Sequence, residues 1–393
     1  MSPAEAEQGT ATPWPAIAGI IATVSVFAVS QGLTYPLLSF ILERQGQPPS
    51  LIGLSAAMTP LGFVVSSPLI PTLSRRFGAA ATVLGCALSA SLLLALIAWR
   101  QDVWLWFPLR FLLGFAVNPL YVLSETWMVA ITPAAKRGRI LGIYTSVISA
   151  GFAAGPLTLT LAGTEGWPPF LVGIASFLAC AAILLAVLPR LPKFEESAEG
   201  GSVMRFVPQA PLLLAAVFVA AAFEQTTLSL MSVYGEAYQR SETSISALLS
   251  VFVAGNIALQ MPLGMLAERL GSRPTLIFAA VATALGAAIL PLVFATPLVW
   301  PVAFVWGAVS FGIYTMSLIE LGERYAGTAL VAGNAAFAMF WGIGGITGPP
   351  ATGAVMDLVG VEGLPLMLGG LCLALACFQA AGRRPLNRTT STG

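Results

Sequence analysis

The segment "MPLGMLAERLGSRPTLIF", residues 261–278, sets Glu268, Arg269, Gly271 and Arg273 between two apolar runs, and a near-copy, "IPTLSRRFGAAATVLG", occupies residues 70–85. Arg76 and Gly78 fall on Arg269 and Gly271 at a shift of 193 residues. The same shift puts Pro108 on Pro301, and Gly114, Tyr121 and Ser124 on Gly307, Tyr314 and Ser317. It also puts Gly151, Gly155 and Pro156 on Gly344, Gly348 and Pro349. The chain has 39 glycines, so one coincidence means little, but four clusters in a single register mark a parallel duplication. In membrane carriers such a duplication gives two bundles that rock around a site near the bilayer midplane.

The 393 residues are 57% hydrophobic and 9% charged, with a mean hydropathy of +0.86. A soluble domain carries about 25% charged residues, so this chain lacks the material for a wet surface. Its apolar residues come in runs of roughly 20, the length of a helix that crosses hydrocarbon. A barrel would instead show alternating segments of about ten residues. The reading is an all-α membrane protein with twelve transmembrane helices in two pseudo-symmetric six-helix bundles. The spans are placed at about 16–42, 50–73, 79–99, 103–132, 139–163, 169–189, 210–234, 244–267, 274–294, 298–321, 328–356 and 364–381. Residues 1–189 form the first bundle, 190–209 a linker and 210–393 the second bundle. The linker reading rests on the longest polar stretch, "PRLPKFEESAEGGSVMRFVPQAP", residues 189–211.

Fourteen Lys and Arg fall on the side of the membrane that carries both termini and three on the other. By the positive-inside rule both termini are expected in the cytoplasm of a cell whose inner (plasma) membrane the chain spans. The first 14 residues hold Glu5 and Glu7 and no Lys or Arg, unlike a cleaved signal peptide. Net charge is +1, so no nucleic-acid partner is implied. The chain has no His, which removes His metal sites and His-based catalytic triads. Cys86, Cys180, Cys372 and Cys377 sit in apolar runs and read as small packing residues. With no nucleophile–base pair and no phosphate loop, neither an enzyme nor direct use of ATP is expected, and no cofactor is implied.

Charge inside a membrane span is costly and usually faces a cavity or a partner. Arg110 lies about seven residues, or ~10 Å, into span 4. Arg110, Gly114, Tyr121 and Glu125 stand at ~0, 40, 20 and 60° on a helical wheel, one narrow stripe. Glu224 lies near the middle of span 7, with Gln31 as its repeat mate in span 1, and Glu320 reads as interfacial in span 10. Each has a plain alternative: Arg110 as a structural lock, Glu125 as a brace for span 5, Tyr121, Trp127, Trp306 and Tyr314 as packing or interfacial belt. Glu224 has the weakest structural explanation, since no basic residue lies near it in sequence. Desolvation there favours the neutral acid, whereas water or an approaching Arg110 favours the anion, so it is the leading proton site.

"GMLAERLGSR" resembles the loop signature of the major facilitator superfamily, placing Gly264, Glu268, Arg269, Gly271 and Arg273 on its positions. "RFLLGFAV", with Arg110 and Gly114, resembles that family's fourth-span signature, and "GFAAGP" resembles the fifth-span glycine–proline signature of its proton-driven exporters. "RFLLG…SETW…KRGR" is similar to a bacterial subgroup, allied to drug/proton antiporters, of poorly defined substrate. The copy at 70–85 departs from the pattern, with Arg75 where an acid is expected and Ala79 and Ala80 where basic residues are. The resemblance implies that spans 1, 4, 7 and 10 line a cavity. It also implies a monomeric secondary transporter, with a small organic molecule and protons as its ligands and the lipid bilayer around it, exporting by alternating access. Proton symport or uptake, or a transporter-like receptor or assembly factor, are the other readings. Glu268 is expected near the start of span 5, around Gly138 and Arg139, where a helix N-terminus favours an anion. Arg75 or Arg76 is expected to pair with Glu323 when that side closes.

Overall fold

The structure is a computed structural model that describes residues 13–132, 137–191 and 203–382. Twelve helices in it are long and apolar enough to cross a membrane. They are α1 Trp14–Arg44, α2 Pro49–Phe77, α3 Ala79–Trp99, α4 Val103–Ile131, α5 Arg137–Ala162 and α6 Pro168–Val187 in the first half. The second half holds α7 Pro211–Ala237, α8 Glu242–Leu270, α9 Ser272–Val293, α10 Val299–Arg324, α11 Gly327–Val359 and α12 Gly363–Ala381. A 3-10 turn at Ser67–Leu69 interrupts α2. Short connections force neighbouring helices antiparallel, so residues 13 and 382 lie on one side, here called the terminal face, opposite the far face. Gly78 (φ 83°) and Gly271 (φ 92°) make the matching turns on the terminal face, in a backbone region that side chains avoid.

The two halves are built alike. Helix α1 packs on α5 as α7 packs on α11, α2 on α4 as α8 on α10, and α3 on α6 as α9 on α12. The register follows the 193-residue shift atom by atom. A Cβ on Gly151 would meet the Ser25 carbonyl and the Ala28 methyl, and one on Gly344 would meet the Phe218 carbonyl and the Ala221 methyl. Gly114 abuts the Thr59 carbonyl as Gly307 abuts that of Phe252, so α4 and α10 touch their neighbours backbone to backbone. Large apolar side chains such as Leu92, Leu161 and Leu292 remain on the outer surface, as hydrocarbon contact allows.

Across the halves, α2 meets α11, α5 meets α8 and α1 meets α7. The α2–α11 seam is built on small residues: Gly53 against the Pro349 carbonyl, Gly353 against that of Pro49, Gly345 against Pro60, and Gly342 against Val64. Most of the expected linker, residues 192–202, lies outside the described residues. Its last part docks on the second half, where a short helix, Val203–Phe206, buries Phe206 against Leu321, Ala336 and Phe337.

Candidate functional site

The cross-bundle polar contacts define the state of the molecule. On the far face Arg44 Nη1 donates to both carboxylate oxygens of Glu242, at 2.9 and 3.0 Å. Arg44 Nη2 donates to the Thr164 carbonyl at 2.8 Å, and the Thr164 hydroxyl donates to Glu242. The Ser50 N–H donates to Asp357 at 3.3 Å. Among the described residues, no hydrogen bond or ion pair joins the halves at the terminal face. The halves are therefore closed on the far face.

The space between them is lined unevenly. Arg110 is 1% exposed, and its Nη1 donates to Ser55 Oγ of α2 at 3.2 Å while its Nε meets no acceptor. Further along α4, Gly114 abuts Thr59, and the two hydrogens of Asn118 Nδ2 are shared among the Phe63 carbonyl and the hydroxyls of Ser66 and Ser67. The far-face half of the α4 stripe is thus sealed against α2. Only its terminal-face half reaches the cavity: Tyr121 is half-buried and Glu125 is exposed. Tyr121 stands edge-on to Phe27 at 4.6 Å between centroids, and Phe63 stacks on Trp341 across the seam at 6.5 Å. Glu125 lies within electrostatic range of Tyr144 on α5 and Tyr314 on α10, one from each half.

Glu224 of α7 is half-buried, has no ion pair among the described residues, and lines a small cavity with Phe223, Ser310, Phe311 and Tyr314. Gln31, its repeat mate, is 2% exposed and its Nε2 finds no acceptor. Arg110 and Glu224 do not pair, although the halves are closed on the far side, to which Arg110 is nearer. Tyr35 of α1, buried, lies within electrostatic range of both. Sequence reasoning passed over Tyr35, Ser55 and Asn118, because a neutral residue inside an apolar span carries no mark of its own.

Two placements correct the expectations. Trp127 is 2% exposed and packs in the helix core, and Trp306 does likewise while donating to the Thr283 carbonyl. Neither lines the cavity, since an indole buries more apolar surface in a helix seam than a wet cavity allows. Glu320 lies one turn from the terminal-face end of α10, where it is 2% exposed and ion-paired to Arg324.

The expected gate residues lie apart. Glu268, Arg269, Arg75, Arg76 and Glu323 are all exposed on the terminal face. Arg76 rests over the ring of its neighbour Phe77. Glu323 instead accepts from Ser272 Oγ at 2.6 Å, and Arg273 donates to the Gln379 carbonyl at 2.6 Å. The side chain of Arg139 lies outside the described residues.

The model of the Major Facilitator Superfamily matches residues 20–215 and again 212–391. YfkF of Bacillus subtilis, an uncharacterized MFS-type transporter, is 29% identical over 346 residues, 86% of this chain and 88% of that one. YE1530 of Yersinia enterocolitica, also an uncharacterized MFS-type transporter, is 23% identical over 356 residues, 88% of this chain and 91% of that one. Among solved structures, the nucleoside transporter NupG superposes with a TM-score of 0.79 at 14% identity, covering 93% of this chain and 98% of that one. That likeness is one of fold.

Proposed function

The chain belongs to the Major Facilitator Superfamily, and from that premise we propose that it exports a small organic molecule in exchange for protons. Family membership makes it a multi-pass secondary transporter of small molecules rather than an enzyme. The finer reading rests on Glu224. It is a carboxylate in the middle of a cavity-lining helix, it has no ion pair among the described residues, and aromatic rings surround it. Such a group gains a proton where it is desolvated and loses it where water reaches it, and the two halves of a transport cycle supply those two environments.

In this reading the terminal face is cytoplasmic, as the fourteen-to-three Lys/Arg bias supports, and the structure is the inward-facing state. The protein acts as a monomer in the inner membrane, with residues 1–189 and 210–393 as moving bodies and 190–209 as their tether. Glu268 approaches the start of α5 near Arg139, and Arg75 or Arg76 approaches Glu323, when the cytoplasmic side closes. Tyr121, Tyr314 and Glu125 form the cytoplasmic approach to Glu224, with Arg110 and Gln31 beside its deep end.

The test is transport by reconstituted protein in vesicles with an imposed pH gradient, with substrates first found by ligand-induced thermal shift. Glu224→Gln is expected to abolish gradient-driven flux while leaving substrate exchange within about twofold of wild type. Gradient-driven flux that survives the substitution refutes the assignment and moves the proton site to Glu125.

A further inference from the structure

We propose that Arg110, Ser55 and Tyr35 form a binding site for a compact monovalent anion of the halide class, held inside the first half and separate from the transported molecule. The proposal goes beyond the transport reading above and depends neither on Glu224 nor on the direction of transport. Its starting point is a guanidinium without a counter-charge. Arg110 is 1% exposed, forms no ion pair among the described residues, and leaves its Nε without an acceptor. Arginine keeps its charge in a protein, and an unpaired charge inside a membrane span is costly.

The groups around it are donors as well. Arg110 Nη1 donates to Ser55 Oγ at 3.2 Å, which uses that hydroxyl as an acceptor and leaves its own hydrogen free. Thr23, Thr34 and Ser39 turn their hydroxyls onto the carbonyl four residues back, but Ser55 gives its hydrogen to no described residue. Tyr35, buried on α1 within electrostatic range of Arg110, likewise donates to no described residue. Ser55, Arg110 and Tyr35 stand ~9, ~10 and ~14 Å of helix from the far-face ends of α2, α4 and α1. Three helices thus bring N–H and O–H groups to nearly one depth.

Packing alone does not require this set, because the repeat makes the same crossing without it. At the 193-residue shift, Tyr35, Ser55 and Arg110 become Leu228, Leu248 and Ala303. Both crossings close with a glycine against a carbonyl, Gly114 on Thr59 and Gly307 on Phe252. In the second half the place is buried and apolar, and Leu248 and Ala303 line a small cavity with Met231, Phe252 and Trp306. The first half converges donors with no acceptor among them, which is the arrangement that holds an anion. With α2 covering Arg110, the ligand must be small, and a halide offers its charge to every donor from a single centre. Tyr35 also lies within electrostatic range of Glu224 of the other half, which makes its side the one from which an ion enters.

The experiment is a thermal-unfolding titration of the full chain in detergent with sodium chloride or bromide, ionic strength being held constant with the bulky anion isethionate. Bromide anomalous diffraction then locates the ion. Chloride and bromide are expected to raise the unfolding temperature saturably, as a ligand of the folded state does, and bromide density is expected beside Arg110. Ser55→Ala removes one donor and is expected to raise the half-saturating concentration about tenfold. The double substitution Ser55→Leu/Arg110→Ala copies the second half's Leu248 and Ala303, and is expected to abolish the halide response. Glu224→Gln is expected to keep it. The proposal is overturned if halide and isethionate give wild type the same unfolding temperature, or if bromide density lies away from Arg110. A wild-type halide response in Ser55→Ala or in the double variant also overturns it, and should the double variant fail to fold, Ser55→Ala decides alone. Stabilisation by acetate or benzoate but not by halide overturns it too, by assigning Arg110 to a carboxylate of the transported molecule.

Discussion

Arg44→Ala should shift the molecule toward its far-face-open state, and the size of the shift can be worked from the closure itself. Arg44 binds both oxygens of Glu242 but is anchored to the Thr164 carbonyl within its own half. The Thr164 bond survives opening, so it contributes preorganisation rather than closure energy. What opening breaks is the Arg44–Glu242 pair, whose side chains are 31% and 23% exposed. Solvent screening holds such a pair to about 1 kcal/mol. Removing the guanidinium also leaves Glu242 and its neighbour Glu236 without the cation beside them, which adds a repulsion of similar order at an effective dielectric near 20. The sum, about 1–2 kcal/mol, corresponds to roughly a fivefold to thirtyfold change in the open-to-closed ratio. Spin labels at Gln45 and Thr243, exposed positions beside the pair on opposite halves, read that ratio by pulsed electron–electron resonance at fixed pH. Glu242→Ala should move it the same way, and the double substitution should show a coupling of about 1 kcal/mol. A ratio in Arg44→Ala within about twofold of wild type would mean that the closure is held without this pair, by the small-residue seam and the Thr164–Glu242 and Ser50–Asp357 bonds.

Two further outcomes are expected. Gly307→Ala sets a methyl against the Phe252 carbonyl, and Gly114→Ala does the same at Thr59, so each should destabilise its half by about 3 kcal/mol, read as a lowered unfolding temperature in detergent; an unchanged temperature in both refutes the backbone-contact account. Cysteines at 75 and 323 should crosslink only under conditions that favour the far-face-open state, and a crosslink yield that ignores conformation sinks the expected inner pair.

The frame was legible in the sequence because its causes are written there as residue types. Runs of about 20 apolar residues set the helices, and repeated glycines set the crossings, so Gly151 and Gly344 meet mates that are themselves 193 apart, Ser25 with Phe218 and Ala28 with Ala221. The site was legible only in part. A helical wheel places Arg110 and Glu125 on one stripe of α4, yet α2 covers the first and leaves the second open. Which neighbour covers a stripe is a tertiary fact, and the serine that meets Arg110 has no periodicity to reveal it. Trp127 misled because an aromatic side chain serves a seam as readily as a cavity. The described gate residues do not meet one another for a different reason. A carrier's sequence encodes contacts of two states, and the contacts that close the terminal face are absent while the far face is shut.

The contact of Gly345 with Pro60 has a mechanical consequence. Each half is braced internally by helices that touch carbonyl to glycine, so α2 moves with its half as one beam despite the 3-10 turn at Ser67–Leu69. If the beam pivots where Pro60 bears on α11, its arms are unequal. From Pro60 to Pro49 is ~16 Å of helix and from Pro60 to Phe77 ~26 Å, at 1.5 Å per residue. A lever of that shape moves its longer end about one and a half times as far as its shorter one. The mouth at the terminal face therefore swings wider than the mouth at the far face, and the narrower one sets the largest rigid cargo that can complete the passage.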